Sequence, residues 1–169
     1  MYNTAKRSER IFVMPKISKN ASTVLSMILA CFFMAGIVAG AILLPHLIDF
    51  LTVNSCGFIV HDFTAGGKIF ITVAGYIVLA VAAVADVFLL LLLKSIRKGE
   101  IFTSACVALI RRISWCLFLV GIIFIPLGFF FLSAWIVAFA GIFLGLCIRV
   151  VKNAFEEAVY LKEENDLTV

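Results

Sequence analysis

The sequence predicts an all-α polytopic membrane protein: a four-transmembrane-helix bundle with helical cytoplasmic extensions. Three observations carry this. First, 64% of the residues are hydrophobic and only 14% are charged, with a mean hydropathy of +1.18. A soluble domain carries roughly 25% charged residues, so this chain lacks the polar cover that water demands. Second, Ile113 to Val151 has no charge before Arg149. It would be about 58 Å long as one helix. One span needs only about 20 apolar residues, so the stretch reads as two spans joined by a tight hairpin. Third, Lys and Arg gather in alternate connecting segments, which sets the topology.

The elements follow in order. Residues 1–22 are polar and basic, with Lys6, Arg7, Arg10, Lys16 and Lys19. The apolar run 23–44 resembles a signal sequence, but it is longer than the ~7–15 residues of a signal core. It reads as an uncleaved first span that ends at Pro45. Residues 45–68 are loop-like, although 47–53 is apolar enough to extend the first helix or lie at the interface. The second span covers about 69–93 and is interrupted by Asp86.

A second basic segment, KSIRKGEIFTSACVALIRR, follows over 94–112. Gly99 suits a left-handed helix terminus, and Thr103 suits the N-cap of the next helix. The third span is expected over 113–131, kinked at Pro126, and the fourth over 135–151, with the connection near Leu132 to Ala134. A rival reading turns the chain at Pro126-Leu127-Gly128, and a third makes part of the stretch re-entrant. Trp135 suits an interfacial anchor beside the turn. The tail, 152–169, should prolong the fourth helix, with Val151, Phe155, Ala158 and Leu161 or Lys162 as its apolar stripe. Lys152 and Glu156 stand four apart on one face, and Asn165 and Asp166 suit a helix end.

Orientation follows from short-segment basic residues. Residues 1–22 hold five Lys or Arg, 45–68 hold one (Lys68), and 94–112 hold five. Arg149, Lys152 and Lys162 follow in the last span and tail. With four spans, every basic segment falls on one side. The expectation is a multi-pass cell-membrane protein with both termini and the 94–112 segment in the cytoplasm.

Asp86 is the acidic residue deep in a span, and an intramembrane carboxylate marks a functional site by default. It could bind a proton or cation, pair with Arg149, or accept a hydrogen bond from Ser114 as plain interhelical glue. His46, Asp49, Cys56, His61 and Asp62 are metal-capable residue types, but their spacing matches no zinc pattern. No metal or cofactor is expected. The five cysteines include no CxxC pair and read as small buried hydrophobes. Gly36 with Gly40, and Gly141 with Gly145, permit close helix approach, within the bundle or between copies in a homo-oligomer. The basic segments need no nucleic acid to explain them, since topology and anionic headgroups suffice. No phosphate loop, zinc-protease, serine-hydrolase or paired-carboxylate pattern is present, so no enzyme activity is expected.

LLKSIRKGEIFT, the following RRISW and the closing LKEENDLTV resemble the signature of a bacterial membrane family, domain of unknown function 2975 (DUF2975). The resemblance runs from about the second span to the C-terminus. It implies a four-span inner-membrane protein, of a kind often encoded beside a small helix-turn-helix regulator. It implies no catalytic residue. A regulator of that kind would dock on Lys98, Gly99, Glu100, Phe102 and Thr103 together with Glu163, Glu164, Asn165 and Asp166. The plain alternative is that these residues only cap helices and face water. A different class of function, a small transporter or immunity-type protein, would instead use Asp86.

Overall fold

A computed structural model of the protein describes residues 19–53, 65–100 and 103–167. Four helices account for nearly all of them: α1 Lys19–Val53, α2 Ala65–Arg97, α3 Ser104–Leu127 and α4 Leu132–Leu167. There is no strand among the described residues. Each helix is long and apolar enough to cross a membrane, which is compatible with a multi-pass membrane protein. Large side chains such as Phe32, Ile136 and Phe139 lie exposed along these helices. A continuous apolar exterior of this kind suits hydrocarbon and not water.

Two expected boundaries move. Pro45 lies inside α1 and does not end it. Proline removes one backbone donor, and apolar spans tolerate that loss where a soluble helix would break. The second change is the last hairpin. α3 stops at Leu127, and the turn occupies 128–131 instead of 132–134. Pro126 therefore lies in the final turn of α3 and not at a mid-span kink. The turn is uncharged but not unsatisfied. Gly128 donates to Phe124 and Ile125 carbonyls, Phe130 and Phe131 donate to Leu127, and Ala134 donates to Phe131. Internal pairing of this kind is what a turn near hydrocarbon requires. Trp135 lies beside the turn, where its indole covers Gly128 and meets the Phe129 ring edge-on at 5.6 Å.

The helices pack in series. α1 packs on α2, α2 on α3 and α3 on α4, whereas α1 and α4 make no close backbone approach among the described residues. The α3–α4 pair is the tightest. At the hairpin end, Ile48, Ile71, Ala74, Leu127 and Ala134 join side chains from all four helices into one apolar cluster.

Candidate functional site

The site is built at the end of the bundle that carries the 94–112 segment. α2 stops in a Schellman arrangement. Gly99 has φ +85°, its N–H donates to Ile96, and the Glu100 N–H donates to the Ser95 carbonyl. Any other residue at Gly99 would strain the left-handed turn. Thr103 is the N-cap of α3, accepting from the Cys106 N–H at 3.4 Å. The Glu100 carbonyl then accepts from both the Thr103 hydroxyl (3.5 Å) and the Cys106 thiol (3.1 Å). Cys106 is thus a buried member of the first turn of α3, and its thiol ties Glu100 to the helix. Lys98, Gly99 and Glu100 face outward, while Phe102 lies outside the described residues.

The tail comes to the same end. α4 runs 36 residues, about 54 Å, well beyond a ~30 Å hydrocarbon core. Its inner stripe is Phe155, Ala158 and Val159, with Lys152 largely covered, whereas Val151 and Leu161 are exposed. The expected stripe was rotated by roughly one position, because Val159 and not Leu161 packs toward Ser104 and Val107 on α3. Past Val159 the helix overhangs the start of α3 by about 12 Å. That overhang carries Glu163, Glu164 and Asn165 on an exposed surface, and Asp166 belongs to its last helical turn.

Ion pairs fasten tail to helix. Glu156 accepts from Arg111 of α3 at 3.0 Å and pairs with Lys152 one turn before it, the expected i,i+4 partner. The hydrogen bond from Lys152 is the main reason the Glu156 carboxyl titrates below the ordinary glutamate range. Partial desolvation opposes this, and the charges of Lys152 and Arg111 reinforce it. A lowered folded-state pKa means the pairing is complete above the ordinary carboxylate range and is lost as pH falls through the lowered value. The Arg111 guanidinium resonance, followed by NMR in micelles, should therefore hold steady down to that range and then move toward the free-arginine position. Glu156→Gln should show the moved position at every pH.

The proposed intramembrane polar group does not assemble. Asp86 is buried, and one carboxylate oxygen has no hydrogen-bond partner. Ser114 instead donates to the Gly145 carbonyl at 2.9 Å, and the Arg149 guanidinium lies 5.3 Å over the Trp115 ring. The reason is the stripe of α2 to which Asp86 belongs. Gly75 and Leu79 meet Leu44 and Gly40 of α1. Asp86 follows Gly75 by eleven residues and Leu79 by seven, nearly whole helical turns, so it lies on the α1-facing side. Ser114 and Arg149 belong to the α3–α4 seam, and α4 makes no close approach to α2 among the described residues.

The two glycine pairs part company as well. Gly141 and Gly145 are a true seam: a Cβ on Gly141 would lie 3.2 Å from the Gly121 Cα, and one on Gly145 would lie 3.3 Å from the Phe118 ring. Gly121, which belongs to no GxxxG pair, is the tightest member. Gly40 meets only Leu79 at an ordinary 3.6 Å, and nothing lies within 4 Å of Gly36. Of the metal-capable residues, His46 is exposed on α1 and Asp49 lies 3.9 Å from Lys68, while Cys56, His61 and Asp62 fall outside the described residues.

Four spanning-length helices in series, with a capped charged loop and an ion-paired tail at one end, define a small polytopic membrane-type protein. The model of a family described as a protein of unknown function, DUF2975, matches residues 59–169, and the chain belongs to that family. No curated protein and no solved structure matches it.

Proposed function

We propose that the protein is a non-enzymatic regulatory membrane protein that docks a soluble partner on its basic end. The partner class is a small helix-turn-helix transcription regulator, as the family's usual neighbourhood suggests. In this reading the basic segments and both termini face the cytoplasm, in keeping with the distribution of Lys and Arg. One observation carries the reading. The capped residues Gly99, Glu100 and Thr103 and the start of the tail, far apart in sequence, are held at one end of the bundle, the former by their backbone and side-chain bonds and the latter by Val159 packing and the Arg111–Glu156 bond. A helix that only spanned a membrane would have no need of this fastening, nor of the further 12 Å that projects past it (about that length at the usual rise).

A second reading has one specific observation in its favour. Asp86 is a buried carboxylate with an unpartnered oxygen, and such groups mark ion or proton paths. Here the protein is a small transporter or immunity-type protein.

Gentle solubilisation of native membranes, affinity purification and mass spectrometry distinguish the two. The intact protein should bring down a helix-turn-helix regulator. A form lacking Glu163 to Val169, with Lys98→Gln and Glu100→Gln, should lose at least about 90% of it, since hot-spot losses of 1–2 kcal/mol already reach tenfold. Asp86→Asn should leave recovery unchanged. Absence of any soluble partner from the intact sample would contradict docking and favour the Asp86 reading.

A further inference from the structure

The α3–α4 seam has a second feature at its basic end, set apart from the exposed docking residues of the loop and the tail end. Arg111, Ser114, Trp115, Arg149 and Lys152 line a small crevice between the two helices. Three of the five are cations, and the carboxylate that meets them is Glu156, shared by Arg111 and Lys152. The group therefore keeps an excess of about two positive charges. Among the described residues no carboxylate pairs with Arg149, whose guanidinium lies over Trp115. The Lys152 side chain is only 14% exposed, so its ammonium is held at the crevice and is not swinging free in solvent. Arg112, next in sequence, turns away and lies 5.5 Å over Phe88 of α2.

From this arrangement we infer that the crevice is a binding site for an anionic phospholipid. Its phosphate would lie among Arg111, Arg149 and Lys152, and its acyl chains along α3. The phosphate diester is the chemistry that fits. A guanidinium offers paired N–H donors to two phosphate oxygens, and the lysine adds a compact charge. Ser114 is not a donor here, because its hydroxyl proton is committed to the Gly145 carbonyl. The indole of Trp115 belongs at the boundary between headgroups and hydrocarbon. Below it, Leu119 and Ile122 follow at spacings of four and three on the same exposed face of α3. That apolar track starts at the crevice, which is why the phosphate is a lipid's and not a free ion's. The site shares Arg111 with the bond that fastens the tail, but it includes none of Lys98, Gly99, Glu100, Thr103 or Glu163 to Asp166, so variants at Arg149 and Lys152 and variants at the docking residues test the two readings apart.

Native mass spectrometry of the full chain, released from a neutral detergent, tests this. The protein is offered phosphatidylglycerol and phosphatidylcholine of equal chain length, and separately glycerol phosphate. Phosphatidylglycerol adducts should exceed phosphatidylcholine adducts by about 25-fold, the product of about fivefold for each of the two uncompensated cations, with about fivefold lost for each cation removed. Arg149→Gln with Lys152→Gln should abolish the preference, Arg149→Lys should restore most of it when paired with native Lys152, and Lys98→Gln or removal of Glu163 to Val169 should leave it intact. Equal binding of the two lipids by the native chain would overturn the inference. So would an equal loss with Lys98→Gln, which would mean diffuse surface charge. Retention of glycerol phosphate without any lipid preference would reassign the crevice to a soluble phosphate and overturn the lipid site.

Discussion

Gly121→Ala should loosen the α3–α4 pair by about 1–3 kcal/mol, the usual cost of overpacking a filled interior. The added methyl would lie 2.8 Å from Ile142 Cγ1 and 3.1 Å from both the Ala138 carbonyl oxygen and the Ile142 nitrogen. The side-chain contact could yield, but the two backbone atoms cannot move without separating the helices. Gly121→Leu should go further and open the seam, taking with it the bond from Ser114 to Gly145. Gly36→Ala is the matched control. It has the same chemistry in a span, but no atom lies within 4 Å, so it should be neutral or stabilise the helix by up to about 1 kcal/mol. Unfolding midpoints in mixed micelles compare the two directly. Equal effects would mean that α3 and α4 do not approach through Gly121.

Asp86→Leu should stabilise the protein by roughly 1–3 kcal/mol. The residue is 4% exposed and one oxygen is unpartnered, so the fold carries the desolvation cost of a polar group without a compensating bond. A leucine of similar reach replaces that cost with apolar contact, as happens when buried ionic groups are exchanged for hydrophobes. A higher unfolding midpoint together with a lost phenotype would mark Asp86 as kept for function at the expense of stability. A midpoint lowered by a similar amount would mean that the carboxyl has a partner in the membrane, and the account of it as an orphaned group would fall.

These two residues also show how far the sequence could be read. That four helices exist was legible, because hydrophobic runs between basic segments leave few alternatives. The caps of the 98–103 loop were legible too, since Gly99 and Thr103 act through local backbone chemistry. The hairpin was misplaced by about four residues because Phe129, Phe130 and Phe131 are as apolar as the spans they join, and the bonds that satisfy the turn are all backbone. Pro45 misled for a related reason: it breaks helices in water but sits within α1. Asp86 stood out at once, yet its neighbours did not, because a stripe assignment depends on which helices are adjacent. Gly121 gave no signal, since a single glycine in a span becomes informative only when Ala138 and Ile142 are seen against it.

The central claim is that the loop after α2 and the end of α4 form one docking face. Photo-crosslinking in living cells tests it most directly, with a photoreactive residue placed in turn at Glu100, at Tyr160 and at the exposed apolar Ile136 near the opposite end. The account predicts that Glu100 and Tyr160 both crosslink to the same soluble helix-turn-helix protein and that Ile136 does not. Crosslinks from Glu100 and Tyr160 to lipid alone, or to unrelated proteins at the two positions, would contradict it.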